Sequence, residues 1–237
     1  MLSIVVPCLN EAAAIAETLE TLAPMRARGA EVIVVDGGSR DGTPERAAAL
    51  ADRVIEAPRG RALQMNAGAA EARGEIFLFL HADTLLPEGA DTLVVDGLAR
   101  SRRGWGRFDV EIRGRHPLLR VVGALINLRS RLTGIATGDQ AIFVTRSLFT
   151  AAGGFPEIPL MEDVELSKRL KRFGPPLCLR HRARTSGRRW EEHGVLRTIL
   201  LMWALRLAYW AGADPARLAR CYYGERRRGL GKEEELA

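Results

Sequence analysis

The segment Ile76-Phe77-Leu78-Phe79-Leu80-His81-Ala82-Asp83 decides the fold. Five consecutive apolar residues are too few for a buried helix and, rich in aromatics, read as a central strand covered on both faces. The run then stops at a polar triplet. A carboxylate placed where a buried parallel strand ends stands in the crevice at the carboxyl edge of a sheet, where open α/β folds bind ligands. Asp83 is therefore the first candidate site residue, with a turn-capping role ahead of Pro87 as the plain alternative.

Working upstream, residues 2–6 are a short β-branched run ended by Pro7, and Asn10 stands as N-cap before a helix over 11–22. Residues 31–35 form the next strand, followed by Asp36-Gly37-Gly38-Ser39-Arg40-Asp41-Gly42, with Thr43 and Pro44 opening another helix. A weak strand over 53–57 and a helix over 61–72 complete an alternation that calls for a parallel sheet with right-handed crossovers. Downstream, helices are expected over 88–102, 118–132, 161–173 and 195–213, with strands over 105–112, 141–145 and 177–181. A last basic helix starts at Asp214-Pro215, and residues 226–237 read as a frayed charged tail.

With 237 residues, 47% of them hydrophobic, the chain can bury one large α/β core, and disorder is excluded as the default. Cys8, Cys178 and Cys221 are far apart, which fits reduced thiols in a cytoplasmic protein and neither a disulfide framework nor a Cys-x-x-Cys metal site. No signal peptide is expected, because Ile4, Val5 and Val6 run straight into Pro7. Residues 1–100 hold 9 basic against 15 acidic side chains, and residues 101–237 hold 26 against 14. The basic second half points to an anionic partner: a membrane surface, a phosphate-bearing substrate or nucleic acid.

Three polar clusters, at residues 7–11, 36–41 and 81–83, follow strands and should meet at one sheet edge. Gly37, Gly38 and Gly42 lack the dinucleotide G-x-G-x-x-G spacing, and no P-loop lysine is present. A nucleotide held by carboxylates fits better than one held in a glycine cradle.

In order, Pro7-x-x-Asn10-Glu11, Val34-Val35-Asp36-Gly37-Gly38-Ser39-x-Asp41-Gly42-Thr43, Arg61 with Asn66-x-Gly68, the strand ending at Asp83, and Glu162-Asp163 resemble the family 2 glycosyltransferases of GT-A fold over roughly residues 1–190. Gly138-Asp139-Gln140 and Gly153-Gly154-Phe155 resemble a compact bacterial subgroup of unassigned acceptor. The resemblance implies that Pro7, Asn10, Glu11, Asp36, Arg61, Asn66 and Asp83 bind the nucleotide sugar. It also implies that Asp83 holds a divalent cation, Mn²⁺ or Mg²⁺, bridging the diphosphate. His81 replaces the first acid of the family's D-x-D element, so the imidazole either joins the metal or packs behind it. Asp163 would be the general base of an inverting transfer, while the plain reading of Glu162-Asp163 is charge complementing a helix N-terminus. Gly138, Asp139, Gln140, Glu162, Arg189 and Trp190 would line the acceptor and diphosphate region.

The resulting expectation is a GT-A domain over 1–192, a helical extension over 193–228 packing on the domain or a membrane surface, and a disordered tail over 229–237. The apolar helix beginning at Val195 is interrupted by Arg197 and Arg206 and falls short of the ~20 clean residues that a span requires. It suits a lipid-linked acceptor at the inner face of a membrane, a homodimer interface, or packing on the sheet. Rival readings are a sugar nucleotidyltransferase, a class I methyltransferase, and a nucleic-acid- or membrane-binding module with a catalytically silent fold. The first lacks its glycine- and lysine-bearing signature after Val6, and too few aromatics interleave the basic residues for base stacking.

Overall fold

A computed structural model describes residues 1–223 of the chain; the expected tail over 229–237 lies outside the described residues. In chain order the elements are β1 (Leu2–Cys8), α1 (Ile15–Ala27), β2 (Glu31–Asp36), α2 (Thr43–Ala48), β3 (Arg53–Glu56), α3 (Arg61–Glu71), β4 (Ile76–Phe79), β5 (Thr84–Leu85), α4 (Ala90–Ser101), β6 (Trp105–Arg113) and α5 (Leu118–Thr133). A 3₁₀ turn (Gly138–Gln140) leads to β7 (Phe143–Thr145), α6 (Arg146–Ala151), α7 (Glu162–Lys171), β8 (Leu177–Ser186), α8 (Arg188–His193), α9 (Val195–Trp210) and α10 (Pro215–Tyr223).

The eight strands form one sheet in the order β3-β2-β1-β4-β7-β6-β8-β5. β3, β2, β1 and β4 run parallel, as the alternation of the first half demands. β7 then lies antiparallel between β4 and β6, and β8 runs parallel to β6. Every residue of β1 and β2 is buried because both faces of the sheet are covered. Leu2, Ile4 and Val6 point to α1 and α4, packing with Ile15, Leu19, Leu22 and Val94. Val5, Ile33 and Val35 point the other way, onto Ala62, Met65 and Ala69 of α3. β4 divides in the same manner: Leu78 joins the first core, while Phe77 and Phe79 pack edge-on against Phe149 and Phe155 of the second.

Three local expectations are corrected. Helix α1 starts at Ile15, four residues late, because Asn10 takes a left-handed conformation (φ 54°) and its side chain caps nothing. β8 runs on to Ser186: Ala183 and Thr185 face inward between outward Arg182 and Arg184, an alternation that arginine content disguises as loop. The apolar helix ends at Trp210, and among the described residues no helix is long and apolar enough to cross a membrane.

Candidate active site

β1 and β2 end side by side at Cys8 and Asp36, and the turns that follow are laced together. Asp36 Oδ2 accepts the amides of Gly38 and Ser39 at 2.8 Å each, and Oδ1 accepts the Ser39 hydroxyl and the Cys8 thiol. At 2% exposure the carboxylate is committed to building its own turn. Asn10 Oδ1 accepts the Arg40 amide at 2.9 Å, Asp41 accepts the Ala12 amide, and the Glu11 amide donates to Thr43 Oγ1. The seam leaves a pocket of about 440 Å³ lined by Leu9, Asn10, Gly37, Gly38, Arg40 and Arg59. Gln64 braces it from below, donating from Nε2 to the carbonyls of Cys8 and Val35 at 2.8 Å. A Cβ on Gly37 would stand 3.1 Å from that amide. Pro7 is buried in β1 opposite Val35.

At the same edge Glu11 receives Arg188 Nη2 at 3.3 Å. Burial raises the Glu11 pKa and the charge of Asp83 adds to that, while Arg188 and Arg61 pull it back. The main-chain oxygen of Asp83 accepts the Ser186 amide, and among the described residues its carboxylate hydrogen-bonds only with the Thr84 hydroxyl, at 3.5 Å. Among the described residues no three His, Cys, Asp or Glu side chains stand within reach of one metal ion. Asp83, half-buried with lone pairs to spare, fits a hard cation that takes one carboxylate from the protein and the rest of its shell from phosphate oxygens and water.

A second cavity, of about 90 Å³, gathers Arg61, His81, Asp139, Glu162, Asp163 and Arg206. His81 Nδ1 lies 3.2 Å from Asp139 Oδ1, and its ring lies against Gly138, where a Cβ would come within 2.3 Å of Nε2. The imidazole is thus engaged with the 3₁₀ turn. Burial pushes the Asp139 carboxyl up, but the hydrogen bond and charge of His81, with Arg61 and Arg206, hold it below the usual carboxylate range. Gln140 closes a capping box with Thr137 and donates to Asn127 Oδ1 at 3.3 Å, fixing the turn to α5. The Gly138 amide donates to Asp163 Oδ2 at 2.9 Å, and the Val164 amide donates to Oδ1 at 2.7 Å. Met161, just before α7, is held at φ 70°, a left-handed conformation disfavoured for a side chain of its size, so the surroundings dictate how Glu162 and Asp163 enter the cavity. Glu162 is buried, and burial together with the Asp163 charge raises its pKa against the pull of Arg61.

The family model for glycosyl transferase family 2 matches residues 3–132, more than half of the chain. The chain belongs to that family. No curated protein matches this family 2 chain in sequence. Among solved structures it resembles the 1–349 fragment of TarS from S. aureus in complex with UDP-GlcNAc, at 18% identity and TM-score 0.63, over 78% of this chain and 58% of that one. It also resembles the mannosyltransferase PcManGT from Pyrobaculum calidifontis in complex with GDP-Man and Mn²⁺, at 27% identity and TM-score 0.59, over 77% and 56%. Glucosyl-3-phosphoglycerate synthase from Mycobacterium tuberculosis, crystallised with Mn²⁺ and UDP, aligns at 21% identity and TM-score 0.53, over 78% and 70%. The chain spans less than two thirds of TarS 1–349 and of PcManGT. What these structures share with it is the GT-A fold.

Within the family 2 chain, several expected site residues serve neighbouring backbone. Asn66 donates to and accepts from the main chain of Phe155, both at 2.9 Å, pinning the Gly153-Gly154-Phe155 turn. Arg189 donates to Tyr222 O at 2.6 Å and stacks on the Tyr222 ring, and Trp190 packs with Ile112, Leu119 and Val195. Arg188, one residue earlier, is the arginine that crosses to Glu11. Gln64, Arg59 and Tyr222 escaped the sequence reading. Gln64 alone left a signal, an amide among the small and apolar residues of one helix face.

Proposed function

We propose that this chain is an inverting glycosyltransferase that moves a sugar from a UDP- or GDP-linked donor to an acceptor hydroxyl or phosphate, with residues 1–192 as the catalytic domain and an extension from residue 193 onward that is helical over its described part, to residue 223. The observation that carries the reading is Asp163, a carboxylate aimed by two backbone amides into a cavity at the sheet edge, beside the turns that form the nucleotide pocket. Donor binding falls to that pocket, with Asn10 and the Asp36-shaped turn at the base and ribose, and Glu11, Arg61 and Asp83 toward the diphosphate. Asp163 takes the acceptor proton as the acceptor oxygen bonds to the anomeric carbon and the bond to the diphosphate breaks on the opposite face. A cation such as Mg²⁺ or Mn²⁺ held by Asp83 would neutralise charge on the departing diphosphate. His81 and Asp139 brace the turn whose Gly138 amide holds the base.

The extension supports a peripheral contact with an anionic membrane. On α9, Leu196, Leu200, Trp203, Leu207 and Trp210 are 66–83% exposed along one face, and Leu118, Val121, Leu125, Leu128 and Leu132 form a second exposed stripe on α5. The helices are neighbours, joined through Leu119, Val122, Ile126, Val195 and Ile199. Exposed Arg120 and Arg197 flank the stripes, and the tryptophans suit the headgroup region.

The test of the catalytic reading is Asp163→Asn. Calorimetry should find UDP or GDP binding intact, while sugar transfer falls by about 10²–10⁴-fold. Undiminished turnover in this variant removes Asp163 from the role.

A further inference from the structure

Arg129 on α5 and Arg206 on α9 present an arrangement that the fold does not explain. Nε and Nη2 of Arg129 and Nε of Arg206 are buried without any hydrogen-bond partner among the described residues. Buried guanidinium donors are ordinarily paired, because leaving one unpaired forfeits its hydration for nothing. Arg107, close by, shows the ordinary outcome: it is satisfied by Asp109, Ser130 and the carbonyls of Phe108 and Asn127. Burial and the neighbouring charge of Arg206 drive the Arg129 pKa down to about 10, with Asp163 opposing and Arg107 adding to the fall. Nearby carboxylates are committed elsewhere, Asp163 to two amides and Asp139 to His81. Arg129 and Arg206 are thus near enough for each charge to act on the other, and among the described residues no carboxylate hydrogen-bonds these three nitrogens.

Nε and Nη2 of one guanidinium form the side-on fork that matches two oxygens of a phosphate or carboxylate. Arg206 lines the cavity that contains Asp163, so an anion bound here lies next to the candidate base. In an in-line displacement the base and the leaving diphosphate occupy opposite faces of the anomeric carbon. Groups beside the base therefore touch the acceptor.

We propose that Arg129 and Arg206 form a subsite for an anionic group, a phosphate or carboxylate, carried by the acceptor. The assignment of the acceptor side rests on Asp163 being the base. A soluble phosphate ester and a lipid phosphate share the required chemistry.

Calorimetry of the full chain with inorganic phosphate, and separately with UDP and GDP, tests this in the wild type, Arg129→Gln and Arg206→Gln. Phosphate affinity should fall about ten- to a hundredfold in each variant, while nucleotide affinity stays unchanged. Thermal midpoints in phosphate-free buffer should hold or rise in the variants, because an unpaired buried charge has been removed. Equal phosphate binding in wild type and variants, or variants that unfold at lower temperature, overturns the subsite. A parallel loss of nucleotide affinity assigns the arginines to the donor diphosphate and overturns it as well. Failure of the wild type to bind either nucleotide strikes the donor reading instead, and leaves the phosphate result standing as a separate measurement. Glycerol 3-phosphate competing with inorganic phosphate identifies a soluble acceptor, and farnesyl phosphate in micelles binding more tightly than inorganic phosphate identifies a lipid one. If neither ester binds, the site holds a free ion only and the proposal falls.

Discussion

The backbone amide of Gly138 donates to Oδ2 of Asp163 at 2.9 Å while the same residue's Cα lies against the ring of His81, itself paired with Asp139. One glycine thereby couples the end of the central strand to the first turn of α7. A Cβ at 138 would meet His81 Nε2 at 2.3 Å and Cε1 at 2.5 Å, so Gly138→Ala must move either the imidazole or the 3₁₀ turn. Transfer is expected to drop about 10²-fold, since a displacement near 1 Å at a catalytic group has that effect. Circular dichroism and nucleotide affinity should stay near wild type, and full activity in Gly138→Ala would show that the contact does not position the base.

Glu162 supplies a pH signature. Its folded-state pKa is raised by burial and by Asp163, so the folded protein holds this proton where the unfolded chain has lost it. The contribution to stability therefore falls as pH climbs from the ordinary carboxylate value through the raised one, then stays low. Glu162→Gln lacks this ionisation. The thermal midpoint of the variant should gain on the wild type as pH rises above the ordinary carboxylate range, and the gain should vanish at the acidic end. A midpoint difference that is flat across the range removes the inference.

The stripes on α5 and α9 predict sedimentation with anionic vesicles that weakens with salt. Each Leu or Trp taken out of water contributes about 1.5–3 kcal/mol, so Leu200→Ser with Trp203→Ser should reduce vesicle affinity by more than about a hundredfold while leaving the fold intact. These side chains are already exposed, hence the unaltered fold. If the chain ignores vesicles and instead dimerises in the ultracentrifuge, with the same substitutions dissolving the dimer, the face belongs to a second copy.

The first half of the fold was legible because β1, β2 and β4 are largely apolar runs that end at the sheet edge near Cys8, Asp36 and His81, and burial on both faces demands such runs. Asp83 was legible from its place at the end of a strand, whereas Asp139 and Asp163 entered through the family resemblance, and the fold brings them together with His81 at one cavity. What stayed hidden depends on contacts distant in sequence. Arg188 reaches Glu11 from 177 residues away, and Asn66 meets Phe155 across 89. Nothing local distinguishes Arg188 from Arg189, or Arg129 from Arg131; tertiary packing alone decides which one meets a carboxylate, stacks on an aromatic ring or is buried without a hydrogen-bond partner among the described residues. Asp36 is a related case, since a carboxylate at a strand end can bind a ligand or fold its own turn, and only the folded chain shows its oxygens accepting the Gly38 and Ser39 amides.

Gly68 tests how far the site depends on the seating of α3. A Cβ there would fall 2.4 Å from Val5 Cγ1 and 2.9 Å from Val35 Cγ2, both fully buried in the core. Helix propensity alone favours alanine over glycine by about 1 kcal/mol, so Gly68→Ala sets an intrinsic gain against a steric conflict. Overpacking in a tight core typically costs about 1–3 kcal/mol, and the clash involves two strands, so the conflict should win. The expected result is a thermal midpoint lowered by about 2–4 °C for each kcal/mol lost. Moving α3 outward also drags Gln64 from the carbonyls of Cys8 and Val35 and Asn66 from Phe155. Nucleotide affinity should therefore fall together with stability, and a variant that is destabilised yet binds UDP or GDP at full strength would separate the pocket from the helix beneath it.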